Sequence, residues 1–270
     1  MCETCGCTIT PGNQHLVTTG GLLAETRDGH RSVEVLTSLL AENDRMARHN
    51  RQHFERHGVL AVNLMSSPGA GKTSLLEATI EMIGSQRRIA VIEGDLATEN
   101  DAARIRAKGV PAIQITTGQA CHLDAHMVHD ALHSLDIASL DILFIENVGN
   151  LVCPASFDLG HHLNVALLSV AEGDDKPAKY PVMFRHADVV LLTKADLLGA
   201  IDDFDTKAAE RHVRELANTA PVMTVSVRRR DMLAPWIAWL EDKLTSRRMG
   251  LVQRPRIERD ARSPVAGGQP

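Results

Sequence analysis

Aromatic side chains are scarce in this chain, with five Phe, two Trp and one Tyr among 270 residues. A core built on aromatic stacking is therefore excluded, and Val, Ile, Leu and Ala must supply the buried volume. A basic surplus is also missing: 29 Lys and Arg face 34 Asp and Glu, for a net charge of −5. No nucleic-acid partner is expected from such a surface, and the Arg228-Arg229-Arg230 run reads as a solvated loop. No segment approaches a membrane span and the N-terminus lacks signal-peptide character, so a cytoplasmic location and no membrane partner are expected. Cysteine is sparse too. In a cytosolic chain the five present are better read as metal ligands or reactive thiols than as disulfides.

What is there begins with Ser66-Ser67-Pro68-Gly69-Ala70-Gly71-Lys72-Thr73, which follows the apolar run Val59 to Met65 and precedes the helix-forming Ser74 to Ala78. Strand, glycine turn and helix in that order make a P-loop. Backbone N–H groups of Gly69, Ala70, Gly71, Lys72, Thr73 and Ser74 converge on phosphate, and Pro68 shapes the turn. Gly69 and Gly71 admit the close approach. Lys72 is placed to reach the β- and γ-phosphates, and the Thr73 hydroxyl to ligate Mg²⁺. Ser66 stands where the pattern G-x-x-x-x-G-K-[ST] has its first glycine. A chain of this length accommodates one sizeable α/β domain with appendages.

Four stretches are expected: a metal-binding motif and linker at 1–30, a long helix at 31–57, a P-loop GTPase domain at 58–249, and a disordered tail at 250–270. Apolar runs 89–92, 112–115, 142–145, 165–169, 189–192 and 222–225 alternate with helix-compatible segments. That predicts an α/β P-loop NTPase: a mainly parallel sheet with helices on both faces and ligands at the strands' carboxyl ends. Leu233 to Leu244 is expected to form a closing amphipathic helix.

Each carboxyl end can be inspected for chemistry. Asp95 follows the second strand and is positioned to act on Mg²⁺, with Thr98 to Asp101 as a loop sensing the γ-phosphate. Glu146 occupies the carboxylate position of a GTPase switch, and the Gly149 N–H is within the segment that would contact the γ-phosphate. Thr193-Lys194-Ala195-Asp196 approximates the guanine-recognition motif Asn-Lys-x-Asp. Asp196 would accept from guanine N1–H and the 2-amino group, Lys194 would lie over the base and ribose, and the Thr193 hydroxyl would bind the loop locally.

Cysteine and histidine form further groups. Cys2, Cys5 and Cys7 place three thiolates within six residues, with the α-amine freed by Met removal as a possible fourth ligand for Ni(II), or Zn(II) completed by a residue such as His15. Cys121 and His122 are expected to open a helix, and Cys153 lies on the loop after Glu146, giving a candidate metal site linked to the phosphate. His49, His53 and His57 recur at helical spacing, as a solvated stripe or a weak metal-binding face. His122, His126, His129 and His133, spaced 4, 3 and 4, form a second stripe, either a plain surface or auxiliary metal ligands.

These motifs together resemble the hydrogenase nickel-incorporation GTPases, the hydrogenase accessory protein B family. The resemblance is carried by C-x-x-C-G-C at the N-terminus, Glu-Asn-Asp-Arg at 42–45, the P-loop, Glu-Gly-Asp at 93–95 and Thr-Gly-Gln-Ala-Cys-His-Leu-Asp at 117–124. The run from Phe144 to Gly160 carries it most specifically. The resemblance implies a SIMIBI-type GTPase that hydrolyses GTP with Mg²⁺ while delivering Ni²⁺ to the precursor of a [NiFe]-hydrogenase large subunit. It implies a high-affinity nickel site at Cys2, Cys5 and Cys7 and a Ni²⁺ or Zn²⁺ site at Cys121, His122 and Cys153 on a surface that pairs two subunits. The partners implied are a second copy, hydrogenase accessory protein A and, in some organisms, a nickel-binding prolyl isomerase. Between the cysteine motif and the GTPase helix stand only His15 and His30, which argues against bulk nickel storage. Other readings are a nickel or zinc carrier whose nucleotide site is structural, or a sibling delivery GTPase serving another enzyme. An ATP-dependent kinase is opposed by Thr193 to Asp196.

Overall fold

Every position of Leu60–Met65 is buried. A strand flanked on both faces by helices requires that pattern, and this one, β1, runs through the middle of the sheet. The computed structural model describes residues 30–95, 100–118 and 120–252, with side chains from 40 to 250. Six further strands complete the sheet: β2 (Ile89–Asp95), β3 (Ala112–Thr116), β4 (Ile142–Glu146), β5 (Leu163–Ser169), β6 (Val189–Thr193) and β7 (Val222–Thr224). Their order is β3-β2-β4-β1-β5-β6-β7, and every pairing is parallel. All six apolar runs expected to be strands are strands; five are extended by one to three residues, and the last ends one residue early at Thr224.

The helices are α1 (His30–His57), α2 (Lys72–Ile83), α3 (Asn100–Arg106), α4 (Ala125–Leu132), α5 (Lys176–Lys179), α6 (Pro181–Arg185), α7 (Thr206–Glu215) and α8 (Ala234–Val252). Period-two alternation along the strands divides the core between two faces. Leu60, Val62 and Leu64 of β1 pack with Leu75, Leu76 and Ile80 of α2 and with Trp236, Leu240 and Leu244 of α8. On the opposite face Ala61 joins Phe54 of α1 and Val128 of α4. Met65 there joins Phe184 of α6 and Val213 of α7.

The helix expected to open at Cys121-His122 begins instead at Ala125. Asp124 is extended and accepts the Met127 N–H at 2.8 Å, so it caps α4 and leaves Cys121 and His122 on the preceding loop. The closing helix continues past Leu244 to Val252. Cys2, Cys5, Cys7, His15, Thr98 and Glu99 lie outside the described residues, as does the tail beyond 252. No helix among the described residues is long and apolar enough to cross a membrane.

Candidate nucleotide site and metal cluster

Leaving β1, the chain turns through Gly69 and Gly71, both left-handed at φ 75° and 98°, and enters α2 at Lys72. That geometry suits glycine and leaves consecutive N–H groups and a helix N-terminus facing one cavity. Lys72 is buried and donates to Ser66 Oγ at 3.2 Å. The serine in the first-glycine position thus steadies the P-loop lysine. Lys72 Nζ lies 3.8 Å from Glu146 Oε1, which also accepts from the Thr73 hydroxyl at 3.0 Å. Pro68 closes the other side: a Cβ on Gly149 would stand 2.9 Å from the Pro68 Cα and N, so only glycine lets the loop after β4 lie this close.

Glu93 opens the Glu-Gly-Asp run at 93–95 without a role of its own in the sequence reading, yet it is a central feature of the site. Register pairs it with Glu146 across β2 and β4, and both side chains are buried. Burial, then the Glu146 charge, pushes the Glu93 carboxyl up to about 11, so Glu93 holds a proton and bonds Glu146. Glu146 is itself raised by burial, opposed by Lys72, the Glu93 hydrogen bond and Thr73. Glu93 Oε1 and Glu146 Oε2 are buried without a hydrogen-bond partner. Unsatisfied hard oxygens beside the Thr73 hydroxyl and the half-buried Asp95 fit Mg²⁺. These groups, with Asp101 and Arg104, line a polar cavity of about 540 Å³.

A second, more apolar cavity of about 370 Å³ shares Gly71, Ser74 and Lys194 with the first and continues along Leu75, Leu197, Val225 and Val227. The pair offers a charged half suited to phosphates and an apolar half suited to a base. Thr193 Oγ1, expected to bind its own loop, instead donates to the Ala70 carbonyl at 2.7 Å and ties the strand end to the P-loop. Lys194 is left-handed at φ 58°. Asp196 Oδ1 accepts from Ser226 Oγ at 2.6 Å. Ser226-Val227 stands in sequence where GTPases place a Ser-Ala turn, and the fold gives the Ser226 side chain its role of positioning Asp196.

Cys121, His122 and Cys153 come together. Their ligating atoms lie within 4.8 Å of one another, with the two sulfurs 2.9 Å apart and Cys121 Sγ 3.7 Å from His122 Nδ1. The His122 ring stacks on Phe157 at 3.9 Å, and burial lowers its pKa, favouring the neutral form a metal needs. Asn150 Oδ1 accepts the N–H groups of Val152 and Cys153, which fixes the cysteine's turn. Two thiolates and an imidazole suit Zn²⁺ or Ni²⁺.

One buried side chain joins this cluster to the phosphate cavity. Asn147, next to Glu146, accepts the N–H groups of Leu123 at 3.1 Å and Val148 at 3.0 Å, and donates to Asn63 Oδ1 on β1 at 3.3 Å. Leu123 in turn sits where a Cβ on Gly94 would be, 2.7 Å from its Cγ. Loop, strand and metal cluster share one hydrogen-bonded unit.

The predicted histidine stripe on α4 is rearranged. His122 precedes the helix and stacks on Phe157 instead. His126 faces Glu42 at 3.7 Å. His129 and His133 remain together, and α1 brings His49 and His53 up against His129. Burial, then the neighbouring His49, lowers the pKa of both His53 and His129.

Against known proteins, the family described as CobW/HypB/UreG, nucleotide-binding domain, matches residues 60–224. The chain is 52% identical over 228 residues to the hydrogenase maturation factor HypB of Azotobacter vinelandii, covering 84% of this chain and 73% of that one. To the HypB of Escherichia coli K12 it is 49% identical over 211 residues, 78% and 72% of the two chains. The crystal structure of HypB from Helicobacter pylori in complex with nickel superposes with a TM-score of 0.73 at 41% identity, over 76% of this chain and 96% of that one. HypB of Archaeoglobus fulgidus gives 0.71 at 39%, over 76% and 100%.

Proposed function

This chain belongs to the CobW/HypB/UreG family of nucleotide-binding proteins, and from that premise we propose that it hydrolyses GTP while delivering Ni²⁺ to the large-subunit precursor of a [NiFe]-hydrogenase. The observation that carries the reading is the Asn147 bridge between the phosphate cavity and the Cys121, His122 and Cys153 cluster. A protein that times metal release by nucleotide turnover needs such a connection. The nickel named in the Helicobacter pylori complex supports the cargo.

In this reading Lys72 and the P-loop N–H groups neutralise and orient the phosphates. Asp196, held by Ser226, selects guanine, and Lys194 covers the base. Thr73, Glu146 and Asp95 would hold Mg²⁺, which supplies charge neutralisation at the phosphates when bound. Glu93 keeps a proton between itself and Glu146. The Gly149 N–H faces the γ-phosphate. Cys2, Cys5 and Cys7 form a separate nickel site, and the internal cluster takes nickel or zinc. Partners are a second copy, paired in response to GTP and metal, the hydrogenase accessory protein A and the precursor itself, with a nickel-binding prolyl isomerase in some organisms.

A carrier with a merely structural nucleotide site is the competing function. Phosphate release from GTP, compared for the chain and its Lys72→Ala variant, separates the two. Turnover lost in the variant, with nickel still bound at the N-terminal cysteines, is expected. Equal release from both would overturn the P-loop assignment.

A further inference from the structure

Two i,i+4 histidine pairs, 76 to 84 residues apart in the chain, are brought together by the packing of α1 against α4. The rings of His49 and His53 are 4.6 Å apart between centroids, those of His49 and His129 4.9 Å, and those of His53 and His129 6.2 Å. His133 adds a fourth ring 4.8 Å from His129. We propose that His49, His53 and His129, with His133 beside them, form a nitrogen-only binding site for a divalent first-row transition ion, distinct from both cysteine clusters.

Spacing is the first argument. An imidazole nitrogen binds such an ion at about 2.0–2.1 Å, so tetrahedral ligands put ring centres about 5 Å apart. The three measured separations straddle that figure, whereas imidazoles on a solvated helix face have no reason to converge from two elements. Their nitrogens do not share one point in the metal-free fold, since Cys121, His122 and Cys153 are the group among the described residues whose ligating atoms already lie within 4.8 Å. Rotation of exposed His49 and half-buried His53 about their side-chain bonds is the adjustment required.

The second argument is the tautomer of His129. Asn50 is fully buried, and its Nδ2 donates to the carbonyls of Ala125 at 2.8 Å and Leu159 at 3.2 Å. That orientation leaves Oδ1 as an acceptor, 3.1 Å from His129 Nδ1. Nδ1 must therefore carry the hydrogen, and the Nε2 lone pair is free to face outward. Orienting one ring nitrogen through a fixed acceptor is how proteins prepare a histidine ligand. Imidazole donors suit nickel, zinc and copper, and exclude magnesium and calcium. An open, three- or four-nitrogen site at the surface would exchange its ion more readily than a thiolate cluster. The inference does not depend on the nucleotide being GTP or on the hydrogenase reading.

The test uses the full chain with Cys2, Cys5, Cys7, Cys121 and Cys153 all changed to Ser, titrated with Ni(II) and, in parallel, Zn(II). One equivalent of either ion is expected to bind. His53→Gln with His129→Gln should weaken that binding at least about ten-fold, and His126→Gln, placed beside Glu42, should not. A readout free of cysteine changes comes from the native chain: once the thiolate sites are filled, further Ni(II) should broaden the imidazole signals of His49, His53 and His129. No bound ion in the Cys-to-Ser chain, binding indifferent to the paired substitutions, or unperturbed imidazole signals in the native chain would overturn the proposal.

Discussion

Asp196 presents its two carboxylate oxygens differently: Ser226 occupies Oδ1, while Oδ2 stands 4.0 Å from the exposed Arg228 guanidinium. Guanine offers two donors to such a carboxylate, and an amide can accept on only one atom. Asp196→Asn should weaken GTP binding roughly ten- to hundred-fold, the cost of losing one charge-assisted hydrogen bond, in calorimetric titration. If the native chain binds ATP as well as GTP, the guanine assignment is wrong. Glu93 invites a different measurement. Its folded pKa is raised from 4.5 to about 11, so its stabilising contribution is full below pH 4.5 and declines as pH rises toward 11. At pH 7 the unfolded chain ionises this group and the folded one does not, a penalty of about 3 kcal/mol from the difference between pH and the unfolded value. Glu93→Gln should therefore stabilise the nucleotide-free protein by roughly 1–3 kcal/mol at neutral pH and flatten its urea-stability profile above pH 4.5. An unchanged pH slope would mean that Glu93 is ionised in the fold.

The proposed coupling would run through the segment that leaves β4, from Glu146 at the strand's end to Cys153, with Asn147 holding the Leu123 N–H between them. If GTP and GDP hold this segment differently, metal affinity must differ between the two forms, with couplings of ~1–3 kcal/mol being typical. Asn147→Ala should bring the ratio of those affinities toward one while changing GTP affinity only a few-fold, measured on a chain lacking Cys2, Cys5 and Cys7. A ratio kept intact would locate the coupling elsewhere. Such an element is half legible from sequence. The strands are readable because buried parallel strands are continuous apolar runs, and the P-loop because its spacing is dictated by phosphate. The start of α4 is not, because Asp124, rather than the turn at Gly118, supplies the cap. The Glu-Gly-Asp run names Glu93 without its role, because that role depends on register with β4, a strand encoded some fifty residues later. The union of the two histidine stripes depends on how α1 crosses α4, which neither stripe encodes.

At the scale of the whole molecule, the Cys121, His122 and Cys153 cluster sits beside Val152, a large apolar residue left 47% exposed. If a second copy covers this corner, GTP and Ni(II) together should raise the dimer fraction in sedimentation, and Val152→Asp should lower it several-fold. Sedimentation that is indifferent to both ligands would exclude pairing through this surface. The position of β1 has a consequence for how the molecule is made. The strand that leads into the phosphate loop emerges early from the ribosome, yet both its neighbours, β4 and β5, are encoded far downstream. Asn63 and Asn147 meet across 84 residues of chain, about 4–17 s of synthesis at ordinary rates. Until then the loop has no sheet to hold it, and the nascent chain has no formed phosphate site with which to capture nucleotide. Since Asn147 leaves the end of β4, and Cys153 follows six residues later, the carboxylate side of the phosphate cavity and the Cys121, His122 and Cys153 cluster are completed by one short stretch of chain.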